Sequence, residues 1–133
     1  MILGIGIDLV SVERVRRVVE RRGARWLERV FSPAERRDAG EGPHRWRRLA
    51  ARWAAKEAFA KALGTGVRGF RWRDIEVRRD PDGRPVLHLT GVAAERLRAA
   101  GVVRVHLSLS HDSEWAVAQV ILEGRDADEG NSG

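Results

Sequence analysis

The sequence predicts an α+β fold, a small mixed domain with a mainly antiparallel sheet packed against a long central helix. Residues 44–63 hold a sustained helical periodicity of apolar positions. Residues 2–10 and 102–110 alternate bulky with small or polar side chains, the period of strands. Asp80-Pro81-Asp82-Gly83 is a turn signal joining two further short strands. At 133 residues the chain reads as one domain, residues 1–122, large enough to bury a core without staples. Residues 123–133 are polar, acidic and glycine-rich, and are expected to form a disordered tail.

In the first strand, Leu3, Ile5, Ile7 and Leu9 make a bulky face, and Gly4, Gly6 and Asp8 leave the other nearly bare. Bare glycines admit another backbone at close range. Asp8 then closes the strand on the approached face, either as a plain turn carboxylate or as a site residue. Ser11 is placed to cap the helix that follows. That helix runs from Val12 to about Arg29 with a break near Gly23. Val12, Val15 and Val18 or Val19 form its inward stripe, and Arg14, Arg17, Arg21 and Arg25 recur along another side. Phe31-Ser32-Pro33-Ala34-Glu35 starts the next helix, with a serine cap, a proline in first position and a glutamate closing a capping box. Glu35 is therefore assigned a structural role and no chemistry.

The central helix, about His44 to Leu63, gathers Trp46, Leu49, Ala50, Trp53, Phe59, Ala60 and Leu63 on one broad arc. Ala51, Ala55, Ala58 and Ala62 on the other side permit close packing there too. Glu57 falls inside the apolar arc, where a carboxylate needs a partner or a metal. Lys61, one turn on, is spaced for an i,i+4 pair with Glu57. The competing reading aims both groups at a metal-bound phosphate. Lys56 is assigned a snorkelling or subunit-interface position. Gly64-Thr65-Gly66 ends the helix.

Strands are expected over 75–79 and 84–89, then a short helix over 92–100 that Thr90 can cap. In the strand over 102–110, Val103, Val105, Leu107 and Leu109 share one face, and Arg104, His106, Ser108 and Ser110 the other. His111 begins the turn to the last strand, Trp115 to Leu122. It reads either as solvent-facing or as a phosphate-binding or proton-transfer group.

Composition narrows the function. There is no cysteine, which excludes disulfides, thiolate metal sites and a cysteine nucleophile. The opening MILGIGIDLV lacks a basic leader, and no apolar run reaches the roughly 18 residues of a membrane span; a cytoplasmic protein is expected. A net charge of +6 points to an anionic partner: nucleic acid, a phosphate-bearing small molecule or an acidic protein. Of the 25 basic residues only Lys56 and Lys61 are lysines, and both lie in the central helix. Lysine offers a compact, rotatable charge suited to phosphate oxygens, unlike the planar fork of arginine.

Three stretches together resemble one family. GIGIDLVSVERV at 4–15, RWAAKEAFAKALGTG at 52–66 and LSLSHD at 107–112 are similar to holo-(acyl-carrier-protein) synthase, the small bacterial 4′-phosphopantetheinyl transferase. FSPAE at 31–35 and the W-x-D-I-E-V stretch at 72–77 also fit. The resemblance spans residues 1–122. It implies that family's fold and the transfer of 4′-phosphopantetheine from coenzyme A to a serine of apo acyl carrier protein, with adenosine 3′,5′-bisphosphate released, in service of fatty acid biosynthesis. It also implies Mg²⁺ and a homotrimer with the coenzyme in clefts between subunits.

Carried over by position, Asp8 and Glu57 match the magnesium-binding carboxylates; Glu57, directly or through a metal-bound water, is the candidate base, with Asp8 the alternative. Lys61 matches the lysine on the reacting phosphate. Arg52, Gly64, His111 and the Gly83-Arg84-Pro85 turn match coenzyme contacts, and Arg14 and Arg21 the basic helix that receives the acidic carrier. Trp53 stands where phenylalanine is common, and Asp82-Gly83-Arg84-Pro85 replaces a more usual Asn-Gly-Lys-Pro. Two other classes remain on the residues alone: a basic nucleic-acid-binding protein using arginines and five tryptophans, and a Mg²⁺-dependent nucleotide hydrolase using the same carboxylates.

Overall fold

The computed structural model describes residues 1–64 and 69–126. Strand β1 (Ile2–Ser11) leads into helices α1 (Val12–Arg22), α2 (Ala24–Val30), α3 (Pro33–Ala39) and the long α4 (Arg45–Leu63). One 3₁₀ turn (Trp72–Asp74) precedes β2 (Ile75–Arg79) and β3 (Pro85–Leu89). Helix α5 (Gly91–Ala99), β4 (Val102–His111) and β5 (Trp115–Gly124) follow. β1, β5 and β4 form an antiparallel sheet in that order, and β2–β3 a separate hairpin. The expected α+β architecture is what forms. Among the described residues no helix is long and apolar enough to cross a membrane.

Helix α4 lies across β1 and β5. Its Leu49, Ala54, Ala58 and Phe59 are buried, as are Ala116, Ala118, Val120 and Leu122 of β5. The approach to β1 is backbone to backbone. A methyl group on Gly6 would collide with the Ala58 carbonyl, and one on Gly4 with the Ala62 carbonyl. The glycine face of β1 is therefore the inner face. Its bulky side chains point the other way, leaving Ile5, Ile7 and Leu9 60%, 58% and 61% exposed. β1 is thus turned with its apolar face to the outside, and an apolar patch of that kind marks a surface that meets another molecule.

Local signals held well. The Ser11 side chain accepts from Arg14 N–H, and Gly23, at φ +73°, separates α1 from α2. Ser32 and Glu35 form the expected reciprocal capping box. The Asp80 carboxylate accepts from the N–H groups of Asp82 and Arg84, closing the hairpin turn.

Four expectations need correction. β5 continues through Glu123 to Gly124, and the Met1 ammonium bonds the Gly124 carbonyl and Asp126, so the first residues of the expected tail are sheet and strand end. Residues 127–133, like Thr65 and Gly66, lie outside the described residues. In β4 a register shift between Val102 and Arg104 breaks the alternation, burying Val102 and leaving Val103 52% exposed. His111 closes β4 as a strand residue rather than beginning a turn. Finally, Lys56 does not snorkel: it is completely buried, held by the Glu35 carboxylate at 2.8 Å and by the carbonyls of Trp72 (3.0 Å) and Ile75. Helical spacing shows the side of α4 on which Lys56 sits, and a distant carboxylate decides that it is interior. The tryptophans also argue against stacking on nucleic acid. Trp26, Trp53 and Trp72 pack in a row on one another, with ring centroids 5.8 and 4.7 Å apart.

Candidate active site

Asp8 is set by the packing of β1 under α4. It shares the inner face with Gly4 and Gly6 and is 8% exposed. Its Oδ1 accepts from Lys61 Nζ at 2.9 Å, and the same ammonium reaches the Ile7 carbonyl at 3.1 Å. The pairing expected between Glu57 and Lys61 is therefore redirected: the lysine's hydrogen bond goes to Asp8, across the helix–strand contact that the glycines allow. Glu57, one turn before Lys61 on α4, is half-buried and interacts with Asp8. Burial first, and then the Asp8 charge, raise the Glu57 carboxyl to about 7, with Lys61 and Arg14 pulling it down. The hydrogen bond to Asp8 raises the Lys61 ammonium above the ordinary lysine value.

Asp8 and Glu57 open onto a cavity of about 350 Å³ between α1 and α4, walled by Val15, Val18, Trp26 and Trp53 with Arg14 at its edge. The donor set suits a hard divalent cation. Mg²⁺ takes oxygen ligands, commonly one or two carboxylates with water and phosphate completing the shell. Asp8 and Glu57 supply two carboxylates, and Asp8 Oδ2 is buried with no hydrogen-bond donor. Such an atom carries a cost that a cation offsets. Among the described residues no third histidine or acid joins them, which suits Mg²⁺ bound together with a phosphate ligand.

A second cavity, of about 240 Å³, lies elsewhere on α4. It brings together Arg52, His111, Gly83 and Pro85, four of the residues singled out for the coenzyme. Arg52 is 4% exposed, with one guanidinium nitrogen on the Arg48 carbonyl at 2.9 Å and another on Asp38. Burial, and then the charges of Arg47, Arg48, Arg52 and Arg79, hold the His111 imidazole below the usual range. Gly83 has φ +83°, the left-handed turn conformation that favours glycine. Arg84 is exposed and does not line this cavity. Gly64, at φ +79°, ends α4 one turn beyond Lys61.

Arg14 and Arg21 are both exposed on α1, where the ion pairs join Glu13 to Arg16 and Arg17, and Glu20 to Arg16. Arg14 lies beside the carboxylates and Arg21 farther along. The sequence reading missed Arg48, Arg79 and Asp38. Arg48 stands one helical turn before Arg52, and Arg79 ends β2 where the hairpin begins, so both signals were present. Asp38, 3.5 Å from Arg79 as well as paired with Arg52, gave none.

Comparison with known proteins places the chain in a family. The family model of the 4′-phosphopantetheinyl transferase superfamily matches residues 4–120. A holo-(acyl-carrier-protein) synthase of Anaeromyxobacter dehalogenans is 53% identical over 127 residues, covering 93% of this chain and 98% of that protein. The crystal structure of the Neisseria meningitidis synthase superposes with a TM-score of 0.84 at 37% identity, over 92% of this chain and 99% of that one. The Bacillus anthracis synthase in complex with coenzyme A (3′,5′-ADP) gives a TM-score of 0.77 at 38% identity, over 94% and 99%. A match running from the glycines of β1 to the middle of β5, at these identities, shows that the chain belongs to the 4′-phosphopantetheinyl transferase superfamily.

Proposed function

We propose that this chain transfers 4′-phosphopantetheine from coenzyme A to a serine hydroxyl of apo acyl carrier protein and releases adenosine 3′,5′-bisphosphate. The observation that carries the reading is the pair of inward carboxylates, Asp8 and Glu57, with Lys61 at their edge, in a fold shared with synthases that bind coenzyme A. Asp8 and Glu57 would hold Mg²⁺, which when bound supplies charge neutralisation at the pyrophosphate.

The serine oxygen forms a bond to the phosphorus that carries pantetheine, and the bond from that phosphorus to the bridging oxygen breaks. The electron pair leaves with adenosine 3′,5′-bisphosphate. Glu57 accepts the serine proton; in the metal-free site burial and the Asp8 charge raise its carboxyl, and a bound cation would lower it again. Asp8 is the weaker candidate because the Lys61 ammonium already occupies its Oδ1. Lys61 then stabilises phosphate oxygens as charge shifts to the leaving group.

Arg52, His111, Gly83 and Pro85 bind the nucleotide end of the coenzyme. Within one chain the two cavities share no lining residue. The exposed Ile5, Ile7 and Leu9 offer a surface for subunit contact. Both facts support a homotrimer in which the nucleotide pocket of one subunit serves the carboxylates of the next. A cytoplasmic setting goes with this reading, since coenzyme A and the apo carrier must meet there.

The test is to incubate the protein with coenzyme A, Mg²⁺ and apo acyl carrier protein and follow carrier mass. A gain of one phosphopantetheine, lost on chelation, is expected; no gain sinks the reading, and nucleotide hydrolysis without it would favour a hydrolase. Replacing Glu57 by Gln should lower kcat by about 10²–10⁴-fold at saturating Mg²⁺; unchanged turnover would refute its role.

A further inference from the structure

The buried Glu35–Lys56 pair is not used in the chemistry above, and its place in the fold is specific. Both side chains are completely buried. Lysine has three N–H donors, and all three are used. One goes to Glu35 and two to the carbonyls of Trp72 and Ile75, at the entry to β2. Glu35 in turn accepts from Ser32 N–H at 3.0 Å through Oε1 and from Val77 N–H at 3.0 Å through Oε2.

β2 has a strand neighbour, β3, on one side only. On its other edge the Ile75 carbonyl and the Val77 N–H face the protein interior, where unpaired backbone groups are costly. Lys56 donates to the first and Glu35 accepts from the second, so the two side chains cover that edge as a strand would.

The consequence reaches the second cavity. Val77, Arg79, Gly83 and Pro85 of the hairpin form one wall, and Arg48, Ala51 and Arg52 of α4 face them. The width of that pocket is the distance at which the hairpin docks on α4, and Lys56 of α4 with Glu35 of α3 ties the hairpin there through the Ile75 carbonyl and the Val77 N–H. We infer that Glu35 and Lys56 are positioning residues for coenzyme binding: they fix the β2–β3 hairpin against α4 so that the nucleotide pocket is preformed. This rests on the functional reading above. Small displacements of a positioned group are known to cost on the order of 10–100-fold.

The experiment compares wild type, Lys56→Met and the double variant Glu35→Gln/Lys56→Met. Thermal melting, kcat, KM for coenzyme A and the Kd for adenosine 3′,5′-bisphosphate are measured for each. Lys56→Met leaves a buried carboxylate unpaired, whereas the double variant removes both charges and should regain much of the lost stability. If the pair positions the hairpin, both variants raise KM for coenzyme A and Kd for the bisphosphate by about tenfold or more, while kcat at saturation is retained. A double variant that recovers melting temperature and nucleotide affinity together would reduce the pair to a stability element. Wild-type affinity in Lys56→Met would also overturn the positioning role.

Should the variants fail to fold, amide exchange on the wild-type protein decides. The Val77 N–H should exchange as slowly as core amides and slow further when coenzyme A binds; fast exchange indifferent to the coenzyme overturns the inference. A wild-type protein that neither binds coenzyme A nor modifies the carrier would instead refute the functional reading, a separately visible failure.

Discussion

Helix α4 carries two lysine–carboxylate pairs five residues apart, and they differ in almost everything but chemistry. Lys56–Glu35 is sealed from water on both sides. Lys61–Asp8 has the same kind of contact at 2.9 Å, but its lysine is 57% exposed and its carboxylate 9%. In the first pair every donor of the ammonium is matched by an acceptor. In the second, one oxygen of Asp8 is left buried and unpaired, and the lysine can turn to solvent or substrate without breaking the core. The complete pair holds the fold; the incomplete one is available for catalysis.

Removing the inner lysine sharpens the difference most. Burial pulls the Lys56 ammonium below the ordinary lysine value while Glu35 opposes the shift. Lys56→Met should destabilise the protein by about 3–5 kcal/mol, the usual cost of breaking a buried pair. A urea titration with unchanged slope and a much lower midpoint would show it. The comparison breaks if the midpoint hardly moves.

The outer lysine should behave in the opposite way. Lys61→Met should cost clearly less stability than Lys56→Met, because the Lys61 side chain is 57% exposed and only its Asp8 partner is buried. It should nevertheless lower kcat by about a hundredfold, the scale for losing one charge-stabilising donor. A single preparation measured for both denaturation and carrier modification tests this. Large destabilisation with retained kcat would reverse the assignment of the two lysines.

A smaller effect separates the sites by pH. The Glu57 carboxyl, raised from 4.5 to about 7, holds its proton in the folded protein after the unfolded chain has lost it. Folding then gains from that proton below pH 4.5, and the gain is lost as pH rises to about 7. Without metal, stability should therefore fall across this window, and Glu57→Gln should flatten the fall. Adding Mg²⁺, which binds the ionised carboxylates, should counter it at the upper end. Melting curves from pH 4.5 to 8 with and without Mg²⁺ read this directly; identical profiles for wild type and Glu57→Gln would contradict the shift.

These contrasts also mark how far the sequence could be read. The caps, the hairpin turn, the break at Gly23 and the bounds of α4 were legible because each depends on neighbours within four residues. Asp8 and Glu57 were legible as separate residues, and Gly4 and Gly6 pointed to the close approach that joins them. The pairing of the lysines was not legible. It depends on contacts across 53 residues for Lys61 and 21 for Lys56, and helical spacing offered Glu57 as the nearer partner. The bulge in β4 was hidden for a different reason, since an inserted residue leaves the alternation looking intact on both sides.

The smallest predicted effect concerns α1, where the same contrast between site and surface recurs in two arginines. Arg14 lines the cavity of Asp8 and Glu57 and bears on the Glu57 charge, whereas Arg21 is exposed away from it. Arg21→Glu should raise KM for an acidic carrier on the order of tenfold at low salt, through slower association, and leave KM for coenzyme A unchanged. At high salt the difference should shrink, because exposed charges are screened beyond about 8–10 Å. Arg14→Glu should do this and also lower kcat, since it places a second acid beside Glu57. If Arg21→Glu weakens coenzyme and carrier alike, α1 is not a docking face.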